Sequence, residues 1–392
     1  MSKSVALSEI AEVNPRIRQS VASTPNALVS FLPMASVLET GVLSDVEEKP
    51  VGEVLKGYTT FERGDVLLAK ITPCMENGKA VHTGNLPHAL GFGSTEFHVL
   101  RPKEGTDGRY LFHMVWNPIF REAAAKNMTG SAGQKRVPVS FLGNFKVPLP
   151  PLSEQKRIAA ILDKADELRA KRRAALAELD QLTQSIFLDM FGDPVTNPKK
   201  IPTDVLGEVC KRVTDGTHQP PHWSTNGHPF IFVSNIVSGE ITYETEKFIS
   251  EETYASLTKR CPIEVGDVLY STVGSYGVPA LVREQRKFAF QRHIAHLKPD
   301  HKYIDSVFLC AMMGSPPLRQ QADRAARGVA QKTLNLAEIK KFVVFRPPMN
   351  IQRIFTGRVA TLEKLRAAQR ASLVDLDAFF ASLQHRAFRG EL

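Results

Sequence analysis

The chain has 392 residues, and 43% of them are hydrophobic, which is enough material for two or three domains with cores of their own. Its formal net charge of +9 is consistent with a polyanionic partner, but no segment is a basic tail, so any nucleic-acid surface must be assembled by folding. The four cysteines contain no Cys-x-x-Cys pair, which argues against a disulfide scaffold or a zinc ribbon. With no apolar run of signal-peptide or membrane-span length, the sequence predicts a soluble, reduced, cytoplasmic protein.

The first 152 residues are predicted to form one globular unit. A Gly-Asp turn followed by a buried strand is indicated by GDVLLAK at 64–70, and the alternation in 92–102 indicates another strand. Residues 109–127 have helical spacing, and a Gly-rich loop and a last strand occupy 129–151. Strands mixed with a few helices favour the α+β class over a doubly wound sheet.

A long helix is predicted over 153–191, because the prolines just before it cannot continue a helix backwards. Ser153 provides an N-cap, and Gly192 follows the last helical residue. Apolar side chains recur along it at steps of three and four, among them Ile158, Ile161, Leu168, Leu179 and Leu182. Such a helix is roughly 57 Å long, which is typical of a coiled-coil arm.

The second half of the chain repeats the first. Residues 192–349 are predicted to form a second globular unit, in which GDVLYSTVG at 266–274 corresponds to the Gly-Asp segment of the first. A shift of 197 residues carries the long helix onto a second one at 350–392, and it carries Gln155 onto Gln352. The apolar seam of the second helix includes Leu362, Leu365, Leu376, Phe379 and Leu383.

Two helices with matching apolar stripes are expected to pack against each other. A pseudo-two-fold duplication requires them to run antiparallel. Each seam is interrupted once by a polar residue, Arg172 in the first helix and Gln369 in the second. These residues are expected to fix the register of the pair, as single polar groups do in coiled coils, or else to be exposed where the helices splay apart.

Motifs for enzymatic chemistry are absent from the sequence. No GxxxxGK[ST] loop, no GxGxxG that opens a helix and no GxSxG elbow occurs. The proline pairs lack the context of the Asn/Asp-Pro-Pro-aromatic turn that an amino-methylating enzyme needs, and Pro299-Asp300 lacks the nearby Glu-x-Lys of a metal-dependent nuclease. The sequence therefore predicts a non-catalytic chain that binds no cofactor.

The histidines give little support to a metal site. His218 and His222 are four residues apart, but the prolines between them forbid a helix. His293 and His296 lie in a strand-like run. Without a third ligand at suitable spacing, these histidines are interpreted as loop and strand residues that contact solvent, backbone or phosphate.

Two loops of the first unit present polar groups suited to DNA. One set follows the buried strand of 64–70: Lys70, Thr72, Asn77 and Lys79. The other set follows two glycines in the loop at 129–136: Gln134, Lys135 and Arg136. Glutamine can pair with adenine and arginine with guanine through two hydrogen bonds, whereas lysine mostly contacts phosphate.

The second unit carries comparable groups at corresponding places. The candidate DNA contacts there are Thr217, His218, Ser271, Thr272, Ser275, Tyr276, Arg292, Gln331 and Lys332. Taken singly, each of these residues is more often a solvated loop residue. Their recurrence in both halves is what favours a DNA-binding surface.

The chain resembles the DNA specificity (S) subunits of type I restriction–modification systems over essentially its whole length. The resemblance rests on segments in a fixed order: VPLPPLSEQKRIAAIL (147–162), DGTHQPPHWSTNGHPFIFVSNI (215–236), GDVLYSTVGSYG (266–277) and FAFQRH (288–293). The second Pro-Pro segment, PPMNIQ, is weaker because it lacks the glutamate before Gln352. The first unit lacks the Asp-Gly-Thr-His turn and has Val13-Asn14-Pro15-Arg16 there, so no base contacts are carried onto that stretch.

The resemblance implies two similar target recognition domains, 1–152 and 192–349, separated by two long antiparallel coiled-coil helices. Each domain would read one half of a bipartite, asymmetric site in double-stranded DNA, and the helices would set the spacing. Two modification subunits would use S-adenosylmethionine to methylate adenine, and restriction subunits would use ATP and Mg²⁺ to translocate and cleave DNA. The alternatives are a stand-alone coiled-coil DNA-binding or scaffold protein and a complete nuclease or methylase.

Overall fold

Two compact units make up the chain, and each contains part of both long helices. The computed structural model describes residues 3–16, 24–131, 133–328 and 332–392. Unit 1 comprises Met1–Arg172 with Ser372–Leu392, and unit 2 comprises Arg173–Ala371. The predicted domain ends at 152 and 349 are where the long helices begin, whereas the compact units divide both helices near their middles.

The first half of the chain alternates short strands with short helices before the first long helix. Its elements in order are β1 (Lys3–Ala6), α1 (Leu7–Ile10), β2 (Ala11–Val13), β3 (Leu28–Leu32), β4 (Glu47–Pro50), α2 (Val51–Val54), β5 (Thr59–Glu62), β6 (Val66–Ala69), β7 (Ala80–His82), β8 (Leu90–Gly93), β9 (Phe97–Pro102), α3 (Gly108–Trp116), α4 (Pro118–Lys126), α5 (Val139–Asn144), β10 (Lys146–Leu149) and α6 (Leu152–Phe191).

The sheets of unit 1 are mostly antiparallel. Its described residues form a four-stranded antiparallel sheet in the order β2–β9–β6–β7 and a four-stranded sheet in the order β4–β3–β8–β5, in which β3 and β8 are parallel. Strands β1 and β10 form a separate ribbon. All four residues of β6 are buried, so the polar loop begins only at Lys70, where the strand emerges from the core.

The second half follows the same order. Its elements are β11 (Thr203–Val205), α7 (Leu206–Val209), β12 (Cys210–Asp215), β13 (His228–Ile231), β14 (Phe248–Ile249), α8 (Glu251–Thr258), β15 (Val268–Ser271), β16 (Pro279–Leu281), β17 (Ala289–Phe290), β18 (Ile294–Pro299), α9 (Ser306–Met313), α10 (Pro316–Ala325), α11 (Leu336–Ile339), β19 (Val343–Phe345) and α12 (Met349–Ala387).

Strand pairing confirms the predicted duplication. The sheet order β12–β18–β15–β16 in unit 2 corresponds to β2–β9–β6–β7 in unit 1, and the ribbon β11–β19 corresponds to β1–β10. The register also agrees: Val66 pairs with Leu100 in unit 1, and Val268 pairs with Leu297 in unit 2. The α+β class with two similar mixed domains is therefore correct.

The long helices α6 and α12 pack together within each unit. In unit 2 the rings of Phe187 and Phe355 are 5.8 Å apart, and the Arg366 guanidinium donates to the carbonyl of Leu179 over 2.9 Å. Residue numbers rise on one helix as they fall on the other, so the pair is antiparallel, as predicted. Neither helix is long and apolar enough to cross a membrane, and this holds for every helix in the described part of the chain.

The predicted seam is only partly correct. Ile158, Leu179 and Leu383 are buried, and Ile161, Leu362 and Leu376 are half-buried. Four other residues assigned to the seam are instead exposed on the helix surface, with 39% to 56% of their area accessible: Leu168, Leu182, Leu365 and Phe379.

The exposed seam residues stand next to residues that face the partner helix. Arg169 donates through Nε to Asp377 over 2.6 Å in unit 1, and the Arg366 guanidinium forms an ion pair with Asp180 over 2.9 Å in unit 2. Successive helical residues point about 100° apart, so Leu168 and Leu365 turn away where these arginines turn inward. These two ion pairs were not anticipated from the sequence, and the register role of Arg172 and Gln369 stays a prediction.

A buried glutamine joins each long helix to its domain. The Gln155 carboxamide accepts from the N–H of Asp107 over 2.9 Å and donates to the carbonyls of Gly105 and Pro150 over 3.0 and 2.9 Å. Asp107 caps α3 by accepting from the N–H of Tyr110, so the glutamine ties the start of α6 to the start of α3. Gln155 follows Pro150 by five residues, and at this spacing its side chain reaches the Pro150 carbonyl.

Gln352 repeats this arrangement in unit 2. It accepts from the N–H of Asp305 over 2.8 Å and donates to the carbonyls of Tyr303 and Pro347 over 3.0 and 2.8 Å. Asp305 caps α9. The carboxamide therefore satisfies one backbone N–H through its oxygen and two backbone carbonyls through its nitrogen.

We expect Gln155→Ala to lower the free energy of unfolding of unit 1 by about 2–3 kcal/mol, since it removes three hydrogen bonds from a buried site. Trp116 belongs to the core of unit 1, so its fluorescence in a Trp223→Phe background reports on this unit during urea denaturation. The exposed neighbour Lys156 provides the control, and Lys156→Ala should change stability by less than about 0.5 kcal/mol. Equal midpoints for the two variants would contradict the role of Gln155.

Candidate nucleic-acid interface

Backbone hydrogen bonds bring the two predicted DNA loops of unit 1 together. The N–H of Thr72 donates to the carbonyl of Lys135 over 3.0 Å, and the N–H of Val137 donates to the carbonyl of Lys70 over 2.9 Å. The N–H of Lys70 in turn donates to the carbonyl of Glu96 over 2.9 Å. The loops after β6, β8 and α4 therefore form one polar surface. It includes Lys70, Thr72, Glu96, Lys135 and Arg136 and is named the unit 1 loop surface.

Lys135 and Arg136 contribute different chemistry to the unit 1 loop surface. Gln134 and Lys135 are exposed, so their side chains are available to a ligand. Arg136 instead donates two hydrogen bonds to Glu96, from Nε over 2.9 Å and from Nη2 over 2.8 Å. The hydrogen bond from Arg136 lowers the pKa of Glu96, so the pair is ionised at neutral pH and Arg136 is largely neutralised.

The remaining candidates of unit 1 contact other protein groups. The Thr72 hydroxyl donates to the carboxylate of Glu76, and the Asn77 amide donates to Glu39 over 2.8 Å. The Lys79 ammonium donates to the carbonyl of Met34 over 3.2 Å, and Lys70 is half-buried. These contacts shape the loop, and a DNA contact by Thr72, Asn77 or Lys79 would require them to be shared or exchanged.

Unit 2 repeats the backbone of this surface with other side chains. The N–H of Gly274 donates to the carbonyl of Lys332 over 3.3 Å, and the N–H of Leu334 donates to the carbonyl of Thr272 over 2.8 Å. The N–H of Thr272 donates to the carbonyl of His293 over 2.9 Å, as Lys70 does to Glu96. Lys332 is exposed at the place that Lys135 has in unit 1. The predicted residue Gln331 lies outside the described residues.

Ser271, Thr272 and Tyr276 are corrections to the predicted set, since they have 0%, 4% and 5% of their area exposed. The Ser271 hydroxyl donates to the carbonyl of Ser275 over 2.7 Å and accepts from the N–H of Val278 over 2.9 Å. The Tyr276 hydroxyl donates to Asp323 over 2.7 Å. Ser271 and Tyr276 thus hold the turn in place from inside, and only Ser275 of this group is exposed.

The Asp-Gly-Thr-His turn of unit 2 lies beside Arg292. The N–H of Arg292 donates to the carbonyl of Thr217 over 3.0 Å, and the Thr217 hydroxyl donates to the carbonyl of Gln219 over 2.8 Å. His218 contacts Asp215 through Nε2 over 2.9 Å. Because His218 and Arg292 are exposed, they remain candidates for ligand contact.

An aromatic residue beside this turn was missed in the sequence reading. Trp223 is 43% exposed and packs edge-on against Phe230, with a ring-centroid distance of 5.1 Å. It lines a pocket together with the turn, Arg292 and His293. The available signal was a tryptophan within a polar, proline-rich loop, where an apolar core role is not expected. Exposed aromatic faces next to cations suit stacking on nucleobases.

His296, one of the histidines considered as metal ligands, has other partners. His296 is buried and contacts Asp267 through Nε2 over 2.7 Å and Cys261 through Nδ1 over 3.5 Å. Within the described ranges, no three His, Cys, Asp or Glu side chains are grouped as a metal site requires.

Comparison with known proteins agrees with this architecture. Residues 2–179 match the family described as "Type I restriction modification DNA specificity domain". This match covers a little under half of the chain, so it shows a similarity of that part to the family. The chain is 40% identical over 188 residues to the type I restriction enzyme EcoEI specificity subunit of Escherichia coli, and 38% identical over 186 residues to the EcoAI specificity subunit of the same species.

The alignments to these two relatives in the specificity family cover 46% of this chain and 31% of each relative's length. The aligned region therefore spans about a third of these curated relatives. A solved chain from work on complex assembly and conformational transition of the type I R-M system aligns over 100% of this chain and 98% of its own length. Its TM-score is 0.63 at 21% identity, which shows a shared fold over the whole chain.

Proposed function

We propose that this chain is the DNA-recognition subunit of a type I restriction–modification assembly. Each unit reads one half of a bipartite, asymmetric site in double-stranded DNA. The observation that supports this best is the repeated loop surface: Lys135 and Lys332 are exposed at the same place of the same backbone arrangement, while the side chains around them differ. A shared cation suits phosphate, which is the same in every sequence, and differing neighbours suit different bases.

The chemistry of the assembly belongs to other subunits in this proposal. Modification subunits supply S-adenosylmethionine and methylate adenine, and restriction subunits supply ATP and Mg²⁺ for translocation and cleavage. The chain itself supplies sequence recognition and no group that reacts with DNA. This division agrees with the lack of nucleotide-binding and methyltransferase motifs in the sequence. The assembly works in the cytoplasm, where its DNA substrate is found.

The exposed apolar residues of the long helices are proposed to bind two copies of the modification subunit. Leu168 and Phe379 belong to unit 1, and Leu182 and Leu365 belong to unit 2. The shift of 197 residues carries Leu168 onto Leu365 and Leu182 onto Phe379, so both units offer the same positions. Repeated exposed apolar positions on paired helices are typical of protein interfaces, and two equivalent sites bind two equivalent partners.

We expect Lys135→Ala and Lys332→Ala to weaken DNA binding by the assembled complex on all sequences, because each lysine is proposed to contact phosphate. The slope of log Kobs against log salt concentration should become shallower by about 1 for each substitution, as measured by fluorescence anisotropy.

The exposed lysines Lys126 and Lys259 lie on a helix of unit 1 and after a helix of unit 2, outside the loop segments that contain Lys135 and Lys332, and serve as controls. Lys126→Ala and Lys259→Ala should leave the salt slope unchanged. Unaltered slopes for the Lys135 and Lys332 variants would remove both residues from the contact surface.

We expect the two long helices to set the number of base pairs between the half-sites. Inserting four residues after Arg172 and four after Gln369 lengthens both helices by about 6 Å, which corresponds to about 2 base pairs. Four residues turn the helix by about 400°, so each side chain beyond the insertion keeps its face within about 40°. Methylome sequencing of a strain that expresses the full assembly measures the gap between methylated adenines.

The control for this experiment is the same insertion in one helix alone. It breaks the pairing of Arg169 with Asp377 or of Arg366 with Asp180, so methylation at bipartite sites should be lost. An unchanged gap in the doubly lengthened protein, with both half-sites retained, would exclude the helices as the spacer.

We expect Leu168→Asp combined with Leu365→Asp to reduce co-purification with the modification subunit by about tenfold or more, since charges would replace apolar contacts at both proposed sites. Gln181→Asp adds a charge at an exposed position next to Leu182 and should have little effect. Thermal unfolding of each variant verifies that the fold is retained. Full co-purification of the double variant would place the partner on another surface and would favour a stand-alone scaffold role for these helices.

A further inference from the structure

Cys261, His296 and Asp267 form a chain of polar contacts in unit 2. Nε2 of His296 lies 2.7 Å from Oδ2 of Asp267, and Nδ1 of the same ring lies 3.5 Å from Sγ of Cys261. An ionised carboxylate only accepts hydrogen bonds, so Nε2 carries a proton and Nδ1 faces the sulfur. Activated thiols have the same order of groups: a thiol nucleophile, an imidazole base and a carboxylate that orients the base. Here these are Cys261, His296 and Asp267.

The sulfur is accessible, whereas the groups behind it are buried. Cys261 is partly exposed in the loop between α8 and β15, and His296 has only 1% of its area exposed. Cys261 and His296 line a pocket together with Arg212, Asp215 and Arg260. A small reagent can therefore enter from solvent and meet the sulfur before it meets the imidazole.

The surrounding charges favour a thiolate beside an imidazolium. Burial by itself raises the pKa of Cys261, but the hydrogen bond with His296 and the positive charges of Arg212 and Lys298 lower it overall. Burial likewise opposes a charged His296, but its contacts with Asp267 and Cys261 raise its pKa. Burial raises the pKa of Asp267, but the hydrogen bonds from His296, from the N–H of Glu264 and from Lys298 (3.1 Å) lower it overall.

Other charged groups complete this environment. Arg212 donates to the carbonyl of Arg260 over 2.6 Å, which holds its guanidinium at the pocket. Glu264 accepts from Lys298 over 2.8 Å on the far side of Asp267, and Asp215 lies on the pocket wall. The positive charges of Arg212, Arg260 and Lys298 offset the negative charges of Glu264 and Asp215.

The fold does not require the cysteine or the histidine. Asp267 accepts from the N–H of Glu264 over 2.8 Å and holds the Gly-Asp turn, and Asp65 does the same with Glu62 over 2.7 Å in unit 1. In unit 1, however, Val99 takes the strand position of His296. The turn is therefore built without a buried histidine in one copy and with one in the other.

The other two cysteines of unit 2 differ from Cys261. Burial raises the pKa of both Cys210 and Cys310 to about 12. Thiols of this kind remain protonated at neutral pH and react slowly. They provide reference thiols within the same protein.

We propose that Cys261 is a nucleophilic thiolate that peroxides oxidise, with His296 as its proton partner and Asp267 as the group that orients the imidazole. The sulfur attacks one oxygen of hydrogen peroxide, and an S–O bond forms as the O–O bond breaks. The sulfur loses two electrons and the peroxide gains them. The leaving hydroxide takes the proton from Nδ1 of His296 and becomes water, so the product is a sulfenic acid at Cys261.

The site lies in the pocket that also contains Thr214 and Thr217. Oxidation therefore changes the size and polarity of a wall of that pocket. The reaction itself involves no DNA, so it can be tested independently of the proposed recognition function.

The test uses the purified full chain and measures each cysteine separately by peptide mass spectrometry. One sample is treated with hydrogen peroxide and dimedone, which traps sulfenic acids, and a second is alkylated with iodoacetamide over a range of pH. Cys261 should carry most of the trapped product and should be alkylated about tenfold faster than Cys210 or Cys310 at pH 6.5. The midpoint of its pH–rate profile should lie below about 8.5, the value for a free thiol.

Two variants assign the roles. Cys261→Ser should abolish the trapped product at this position. His296→Val gives unit 2 the residue that unit 1 has, with Lys298 still paired to Asp267, and should slow the alkylation of Cys261 about tenfold at pH 6.5 but little at high pH. A midpoint at or above 8.5 in the unmodified chain would overturn the proposal, as would equal rates with and without His296.

Discussion

One buried carboxamide at the start of each long helix is the contact on which the architecture depends. Gln155 and Gln352 each accept a hydrogen bond from the residue that caps a helix of the preceding domain, α3 or α9. Each also donates to a carbonyl of the proline segment just before it. An amide that donates and accepts in fixed directions specifies an orientation, which an apolar contact would not do. Each domain is thereby joined to its helix at a defined angle, and the antiparallel pairing of the helices becomes a property of both units.

Duplication has preserved the backbone contacts and changed the side chains that they display. The bond from Lys70 to Glu96 in unit 1 is repeated from Thr272 to His293 in unit 2, and that from Thr72 to Lys135 is repeated from Gly274 to Lys332. A scaffold held by main-chain hydrogen bonds tolerates such substitutions, because its stability does not depend on the exposed side chains. Two surfaces with the same backbone contacts and different side chains suit the proposed reading of an asymmetric site.

The sequence predicted those features that depend on repetition and on local rules. The two long helices, their polarity and the repeated loops followed from one shift that aligned prolines, Gln155 and the strand segments. The prediction that Leu168 and Phe379 lie between the long helices was wrong. Which face of a helix is buried depends on what packs against it, and an error of one residue rotates the predicted face by about 100°. The prediction that Ser271 and Tyr276 contact DNA was wrong because both side chains are buried and bond to protein groups near the turn. The sequence does not reveal whether a polar side chain there points to solvent or into the protein.

The Gly-Asp turn shows how a small change within the duplicated scaffold creates room for new chemistry. In unit 1 the Arg101 guanidinium donates to both oxygens of Asp65, over 2.9 and 2.8 Å. In unit 2 Lys298 takes this place, and its single ammonium lies 3.3 and 3.1 Å from the two oxygens of Asp267. A longer contact from a point charge leaves acceptor capacity on the carboxylate. His296 contacts that carboxylate at 2.7 Å, and the same ring is thereby oriented with Nδ1 toward Sγ of Cys261.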